Sequence, residues 1–160
     1  MPKQNMIQLL YEMMKNSKRS DREIAKIIGV SQPTITRMRQ RLEKTGYIRD
    51  YTVIPNLEKL GYEIAAFTFM TLVNSNVKSE STNEWIESNP KIVFSASGNG
   101  INGKNSITVS IHENFTDYSN FMSELRSNLS EKISKIDGFL VPLRGELSKH
   151  FSFKYLQPML

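Results

Sequence analysis

Apolar positions in the first 45 residues recur at three- and four-residue intervals, the spacing of helices, whereas beyond residue 62 they come as short runs and alternations, the spacing of strands. Met6, Ile7, Leu10 and Met14 predict a first helix of about three turns. Ser20 stands three places before Glu23, the spacing of a capping box, and opens a second helix carrying Ile24, Ala25, Ile27 and Ile28. That helix stops at Gly29, a residue suited to the left-handed conformation. Ser31 is positioned to cap a third helix whose first turn tolerates Pro33, and which runs to about Thr45 before Gly46. Two capped helices joined by a tight glycine-containing turn form a helix-turn-helix, and the first helix completes its core. Tyr47 to Pro55 is rich in β-formers and closed by proline, which predicts a strand and makes the module winged-helix-like.

Residues 62–73 (YEIAAFTFMTLV) are apolar on both faces, as expected of a strand covered on both sides. Residues 80–89 predict a short helix with Trp85 and Ile86 inward, 91–97 and 105–111 two strands, and about 116–132 a long amphipathic helix. Phe139 to Leu147 supplies a last strand, and the Asn/Ser-rich stretch 74–83 reads as loop. The order β-α-β-β-α-β is the ferredoxin-like split unit. The chain is thus read as α+β, with a helix-turn-helix domain over 1–54, a linker over 55–61 and a βαββαβ domain over 62–160.

Between the two middle strands lies Gly98-Asn99-Gly100-Ile101-Asn102-Gly103, a literal G-x-G-x-x-G. A dinucleotide fingerprint requires the glycines to lead from a strand into a helix, whose N-terminus then holds the pyrophosphate. Here Ile107, Val109 and Ile111 alternate with Thr108 and Ser110, so the glycines lead into a strand, and the string reads as a hairpin loop. Its small residues would still let a small molecule approach the backbone at Ser97, Gly98, Asn99 and Gly100.

Charge separates the two halves. Residues 1–60 hold 12 Lys and Arg against 6 Asp and Glu, while residues 61–160 hold 9 against 10, so the whole excess of the +5 net charge lies in the first module. One module facing a polyanion and one that does not accounts for this asymmetry. The absence of cysteine excludes disulfide frameworks, thiolate zinc sites and cysteine nucleophiles, and suits a reducing cytoplasm. No apolar run approaches the roughly 20 residues needed to span a bilayer, so no membrane association is expected. His112-Glu113 and the isolated His150 have poor metal spacing, and Glu84 and Glu87 read as a solvated helix face. No catalytic residue, metal or cofactor is expected. Met6, Met13, Met14 and Met38 read as packing in the helical module, and Trp85 as core of the second.

Arg19-Ser20-Asp21-Arg22-Glu23-Ile24-Ala25, Gly29-Val30-Ser31, Leu42-Glu43-Lys44-Thr45-Gly46-Tyr47-Ile48-Arg49-Asp50-Tyr51 and Leu60-Gly61-Tyr62 closely resemble the Lrp/AsnC, or feast/famine, transcription regulators. The likeness runs without gaps from about residue 18 to 62; in the second half it is one of pattern. It implies a DNA-binding first module, a second module that forms homodimers and often higher oligomers, and amino-acid effectors bound in the regulatory half between subunits. The chain departs from the family pattern in three places. Met38-Arg39 stands where members carry arginine followed by a branched aliphatic residue, no aspartate follows Gly98 in 99–111, and the C-terminus is rich in aromatic residues.

Projected at about 100° per residue, the third helix buries Ile35, Met38 and Leu42 with Arg39 at their edge. Its opposite face carries Thr36, Arg37, Gln40 and Lys44, flanked by Thr34 and Arg41, and its N-terminal residues Gln32, Pro33 and Thr34 would enter a DNA major groove first. There arginine reads guanine and glutamine reads adenine, so these residues, Lys44 apart, are the candidates for base contacts. Lys18, Arg19, Arg22, Lys44 and Arg49 are candidates for phosphate contacts. The expected function is a sequence-specific regulator that binds double-stranded DNA as a homodimer or higher oligomer. Two rivals are an architectural, weakly specific DNA-wrapping protein and an enzyme or metabolite-binding protein using the glycine loop.

Overall fold

The computed structural model describes residues 4–73, 80–129, 132–145 and 147–157. It divides into two compact units, one running to Pro55 and taking in the segment from Lys149, the other Asn56–Ser148.

The first unit is built from α1 (Gln4–Lys15), α2 (Asp21–Ile28) and α3 (Gln32–Lys44). The capping box at the start of α2 is present in both directions: Ser20 Oγ accepts from the Glu23 amide, and Glu23 Oε2 accepts from the Ser20 amide at 2.7 Å. Gly29 ends the helix at φ 78°, a conformation open to glycine, and its amide reaches the Ala25 carbonyl at 2.9 Å. Ser31 takes the N-cap position of α3, but its hydroxyl meets Thr34 Oγ1 at 2.8 Å and caps no amide. Met6, Leu9 and Met13 of α1 close on Ile24, Ala25, Ile35 and Leu42 to form the core. The buried stripe of α1 is therefore rotated from the expected one, and Ile7 and Ile27 lie outside the core, about two-fifths and half exposed (37% and 48%). Tyr47 to Pro55 forms no strand, because among the described residues this unit offers no second strand to pair with it.

Residues 149–157, read from the sequence as part of the second domain, belong with the first unit. Their one regular element, a 3-10 turn over Phe153–Tyr155, packs on α1.

The second unit opens with a 3-10 turn, Glu58–Leu60, and continues as β1 (Ile64–Leu72), α4 (Glu80–Ser88), β2 (Ile92–Ser97), β3 (Ser106–His112), α5 (Phe115–Leu129) and β4 (Ile133–Pro142). Of the stretch 74–83 expected as loop, 74–79 lie outside the described residues and 80–83 already belong to α4. The four strands form one antiparallel sheet in the order β2-β3-β1-β4, the ferredoxin-like arrangement. β4 starts six residues before the expected Phe139, because it pairs with β1 along its whole length, from Ile64 opposite Pro142 to Leu72 opposite Ile133. The glycine string is the β2–β3 hairpin end, as its sequence context requires. Asn102 (φ 55°) and Gly103 (φ 74°) turn the chain, and the Gly100 amide donates to the Lys104 carbonyl at 2.7 Å.

Among the described residues of this unit, the helices cover one face of the sheet. Met70 packs with Phe121, Met122, Leu125 and Leu129, and Trp85 stacks on Phe121 at 6.0 Å. On the other face the registers align Phe94, Val109, Phe67 and Phe139 as an apolar row crossing all four strands. Phe94 and Phe139 are 53% and 64% exposed in the single chain. β1 is thus apolar on both sides, as expected, but among the described residues the helices of its own unit bury only one of them.

Beneath α5 the sheet carries a buried polar line of Thr68, Thr108, Ser110 and His112. His112 Nε2 lies 2.8 Å from Ser110 Oγ, and Nδ1 lies 3.3 Å from Asp117 Oδ2, which also pairs with Lys91 through its other oxygen. Tyr118 and Phe121 enclose the ring. Burial, aided by repulsion from Lys91, outweighs the Asp117 carboxylate and holds the imidazole below its ordinary value of 6.5. The folded chain therefore binds fewer protons than the unfolded one as pH falls through 6.5, and stability declines from there downward. One such group contributes a slope of up to about 1.4 kcal/mol per pH unit. Denaturant midpoints taken between pH 7.5 and pH 5 should show this decline in the native chain and a flatter profile in His112→Asn; equal slopes in both would remove His112 as the cause.

Candidate nucleic-acid interface

The orientation of α3 is fixed by polar contacts as well as by Ile35 and Leu42. Asp21, in the first turn of α2, accepts from Thr36 Oγ1 at 2.7 Å and from Arg39 Nε and Nη2 at 3.0 and 2.5 Å. Burial opposes its charge, but the Thr36 hydroxyl and the Arg39 guanidinium hold its carboxyl below the ordinary range. A forked guanidinium on a carboxylate is directional, so this pair sets the rotation of α3 about its axis as well as its distance from α2. Tyr51 Oη donates to Glu43 Oε1 at 2.6 Å, tying the segment after α3 to the same side of the helix. Arg39 is therefore a bridge to α2, where helical projection alone placed it at the edge of the buried stripe.

With that rotation set, Gln32, Pro33, Arg37, Gln40 and Lys44 are all exposed. Arg37, Arg41 and Lys44 make no ion pair among the described residues, so their charge is available to a partner. The candidates at the flanks differ. Thr36 has its hydroxyl committed to Asp21 and, at 3.3 Å, to the Gln32 carbonyl. Thr34, Arg37, Met38 and Arg41 line a groove of about 560 Å³ that α1 closes with Gln4, Asn5 and Met6. Arg41 thus stands toward α1, to one side of the face centred on Arg37 and Gln40.

The phosphate candidates also separate. Lys18, Arg22 and Arg49 are exposed and make no ion pair among the described residues. Arg19 is engaged with the buried Glu12, which Lys15 also contacts, and that carboxylate is held below its ordinary range chiefly by its Lys15 hydrogen bond. Lys26, exposed on α2 and overlooked in the sequence reading, belongs with the free cations by position. Its signal was the residue type on the polar face of a helix whose apolar face is evident.

On the second unit, Ser97, Gly98, Asn99 and Gly100 are all exposed at the hairpin end. The amides of Gly98 and Gly100 are taken by the Asn105 and Lys104 carbonyls across the hairpin. A ligand there would meet the side chains of Ser97 and Asn99.

A capped three-helix module with an exposed basic face, followed by a βαββαβ sheet, is the architecture of a winged helix-turn-helix domain joined to a ferredoxin-like second unit. Residues 3–49 match the family of winged helix-turn-helix DNA-binding domains. An uncharacterised HTH-type transcriptional regulator of Pyrococcus furiosus is 35% identical over 71 residues, 44% of this chain and 48% of that relative. The HTH-type transcriptional regulator LrpC of Bacillus subtilis is 30% identical over 88 residues, 55% of this chain and 60% of LrpC. The solved LrpC structure superposes with a TM-score of 0.74 at 22% identity, covering 92% of this chain and 97% of that one. A Neisseria meningitidis transcriptional regulator solved as an L-Met complex superposes at 0.80 with 15% identity, covering 98% and 97%. The chain is thus similar over about half its length to regulators named LrpC and leucine-responsive regulatory protein, and it has the fold of the solved LrpC and AsnC structures. Its matches span about half the length of the curated relatives that come first.

Proposed function

We propose that this protein is a sequence-specific transcription regulator that binds double-stranded DNA as a homodimer or higher oligomer through α3. The observation that carries the reading is the exposed face of α3, where Arg37, Gln40 and Lys44 make no side-chain hydrogen bond or ion pair among the described residues while Asp21 and Arg39 lock the helix behind them. Arg37 can donate to both O6 and N7 of a guanine, and Gln40 can donate to N7 and accept from N6 of an adenine; Lys18, Arg22, Lys44 and Arg49 supply phosphate contacts. The apolar row Phe94, Val109, Phe67 and Phe139 supports self-association through the sheet, since water-exposed aromatic rings in line across four strands are a surface that a second copy would cover. A two-fold dimer presents two α3 helices to half-sites about 34 Å apart. An amino-acid effector enters the reading through the Neisseria relative's L-Met complex, and we place it at the exposed hairpin end, on Ser97 and Asn99. Such a ligand would act by shifting the geometry of the assembly.

Fluorescence anisotropy tests the reading. A labelled duplex from upstream of the protein's own gene is compared with a scrambled duplex of equal length, at low and at near-physiological salt. Preference for the upstream duplex that survives the higher salt is the expected result. Equal binding to both that collapses with salt would replace a specific regulator by an architectural DNA-coating protein.

A further inference from the structure

The C-terminal segment reads Leu147-Ser148-Lys149-His150-Phe151-Ser152-Phe153-Lys154-Tyr155-Leu156-Gln157, with two lysines, one histidine and no acidic residue. It packs on α1, within the helix-turn-helix unit that already holds the excess positive charge. Ser152 Oγ accepts from the Lys154 amide at 3.2 Å and starts the short 3-10 turn that fixes the segment's shape. The outward side is aromatic. Phe151 and Phe153 are 81% and 62% exposed and meet edge to face at 5.5 Å, with Tyr155 and Leu156 exposed beside them. Lys149 Nζ lies 4.1 Å and Lys154 Nζ 5.0 Å from the centre of the Tyr155 ring. Two ammonium groups therefore converge on the aromatic patch itself.

That combination selects a partner. The core of a protein–protein interface is depleted of lysine, because each ammonium must shed its water without a paired anion. A DNA duplex offers anions and apolar sugar edges side by side, so lysines can take phosphates while exposed rings press against sugars or a minor-groove step. We propose that residues 149–157 are a second DNA-contacting element, adding sequence-independent contacts outside the groove read by α3. This inference rests on the duplex-DNA reading above.

The experiment uses full-length protein and both duplexes. Phe151→Ala/Phe153→Ala should weaken binding to the upstream and the scrambled duplex alike, by about tenfold, leaving the ratio between them unchanged. Lys149→Ala/Lys154→Ala, which leaves the phenylalanine pair in place, should lower the slope of log affinity against log salt by about one to two. Size-exclusion chromatography with light scattering and a thermal melt accompany each variant, and should show unchanged mass and midpoint. Affinity and salt slope unchanged in both variants would overturn the proposal. Loss of assembly with unaltered DNA affinity would also overturn it, assigning the patch to a second copy of the chain. Native protein that binds neither duplex would instead sink the DNA-binding reading itself.

Discussion

Replacing Arg37 and Gln40 together by alanine should leave a protein that still binds DNA but no longer distinguishes its proposed operator from a scrambled duplex. Each bidentate contact to a base edge discriminates by about 1–3 kcal/mol, so removing both costs roughly 2–6 kcal/mol of specificity per α3 helix. On a dimer the loss applies at both half-sites, enough to bring a typical specific affinity down to the non-specific level. What remains is the phosphate term from Lys18, Arg22, Lys44 and Arg49, which falls steeply with salt. The fold should not notice, because both side chains are exposed and neither makes a hydrogen bond or ion pair within the described residues. Arg39→Ala supplies the contrast. It breaks the Asp21 fork behind the helix, so its effect should appear in the thermal midpoint as well as in DNA affinity. Anisotropy on both duplexes beside a melting curve separates the two kinds of residue. Discrimination retained by the Arg37/Gln40 variant would move base reading to the flank of α3, at Thr34 and Arg41.

These roles were legible to different depths. The turn between α2 and α3 can be read from Ser20, Glu23, Gly29 and Ser31, because caps act over three or four residues and leave local spelling. The α1 stripe cannot: at 100° per residue Met6, Ile7, Leu9, Leu10, Met13 and Met14 spread over an arc of roughly 160°, and only the positions of α2 and α3 select its Met6, Leu9 and Met13 side. Asp21 and Arg39 are 18 residues apart, and no periodicity links a first-turn carboxylate of one helix to the flank of the next. Residues 47–55 mislead in the opposite direction. Their β-branched and aromatic residues favour extended backbone, but a strand is a property of two chains side by side. The early start of β4 was hidden by Asp137 and Gly138, poor strand formers that pairing with Phe69 and Thr68 of β1 nonetheless holds in register. The C-terminal segment was assigned by sequence continuity, which says nothing about the packing that joins it to α1.

The doubly apolar β1 leads to the second large effect. Phe139→Asp should turn a dimer into monomers at micromolar concentration while leaving the protomer folded. In the single chain this ring is mostly in water, on the sheet face that the helices do not cover, so its removal takes little from the fold. In a two-fold assembly built on the Phe94-Val109-Phe67-Phe139 row the same substitution occurs twice. Each buried phenylalanine is worth about 1.5–3 kcal/mol, before the penalty of placing a carboxylate in the interface is added. Two losses of that size weaken association by roughly 10²-fold to 10⁴-fold. Light scattering over a dilution series measures this directly. DNA binding should fall with it, because a tethered second recognition helix raises affinity by about 10² to 10⁴ without any new contact, and a monomer loses that gain. Monomeric Phe139→Asp should therefore bind the operator weakly yet still prefer it over the scrambled duplex, since Arg37 and Gln40 are untouched. A variant that stays dimeric at every dilution would place the self-association surface elsewhere than on this face of the sheet.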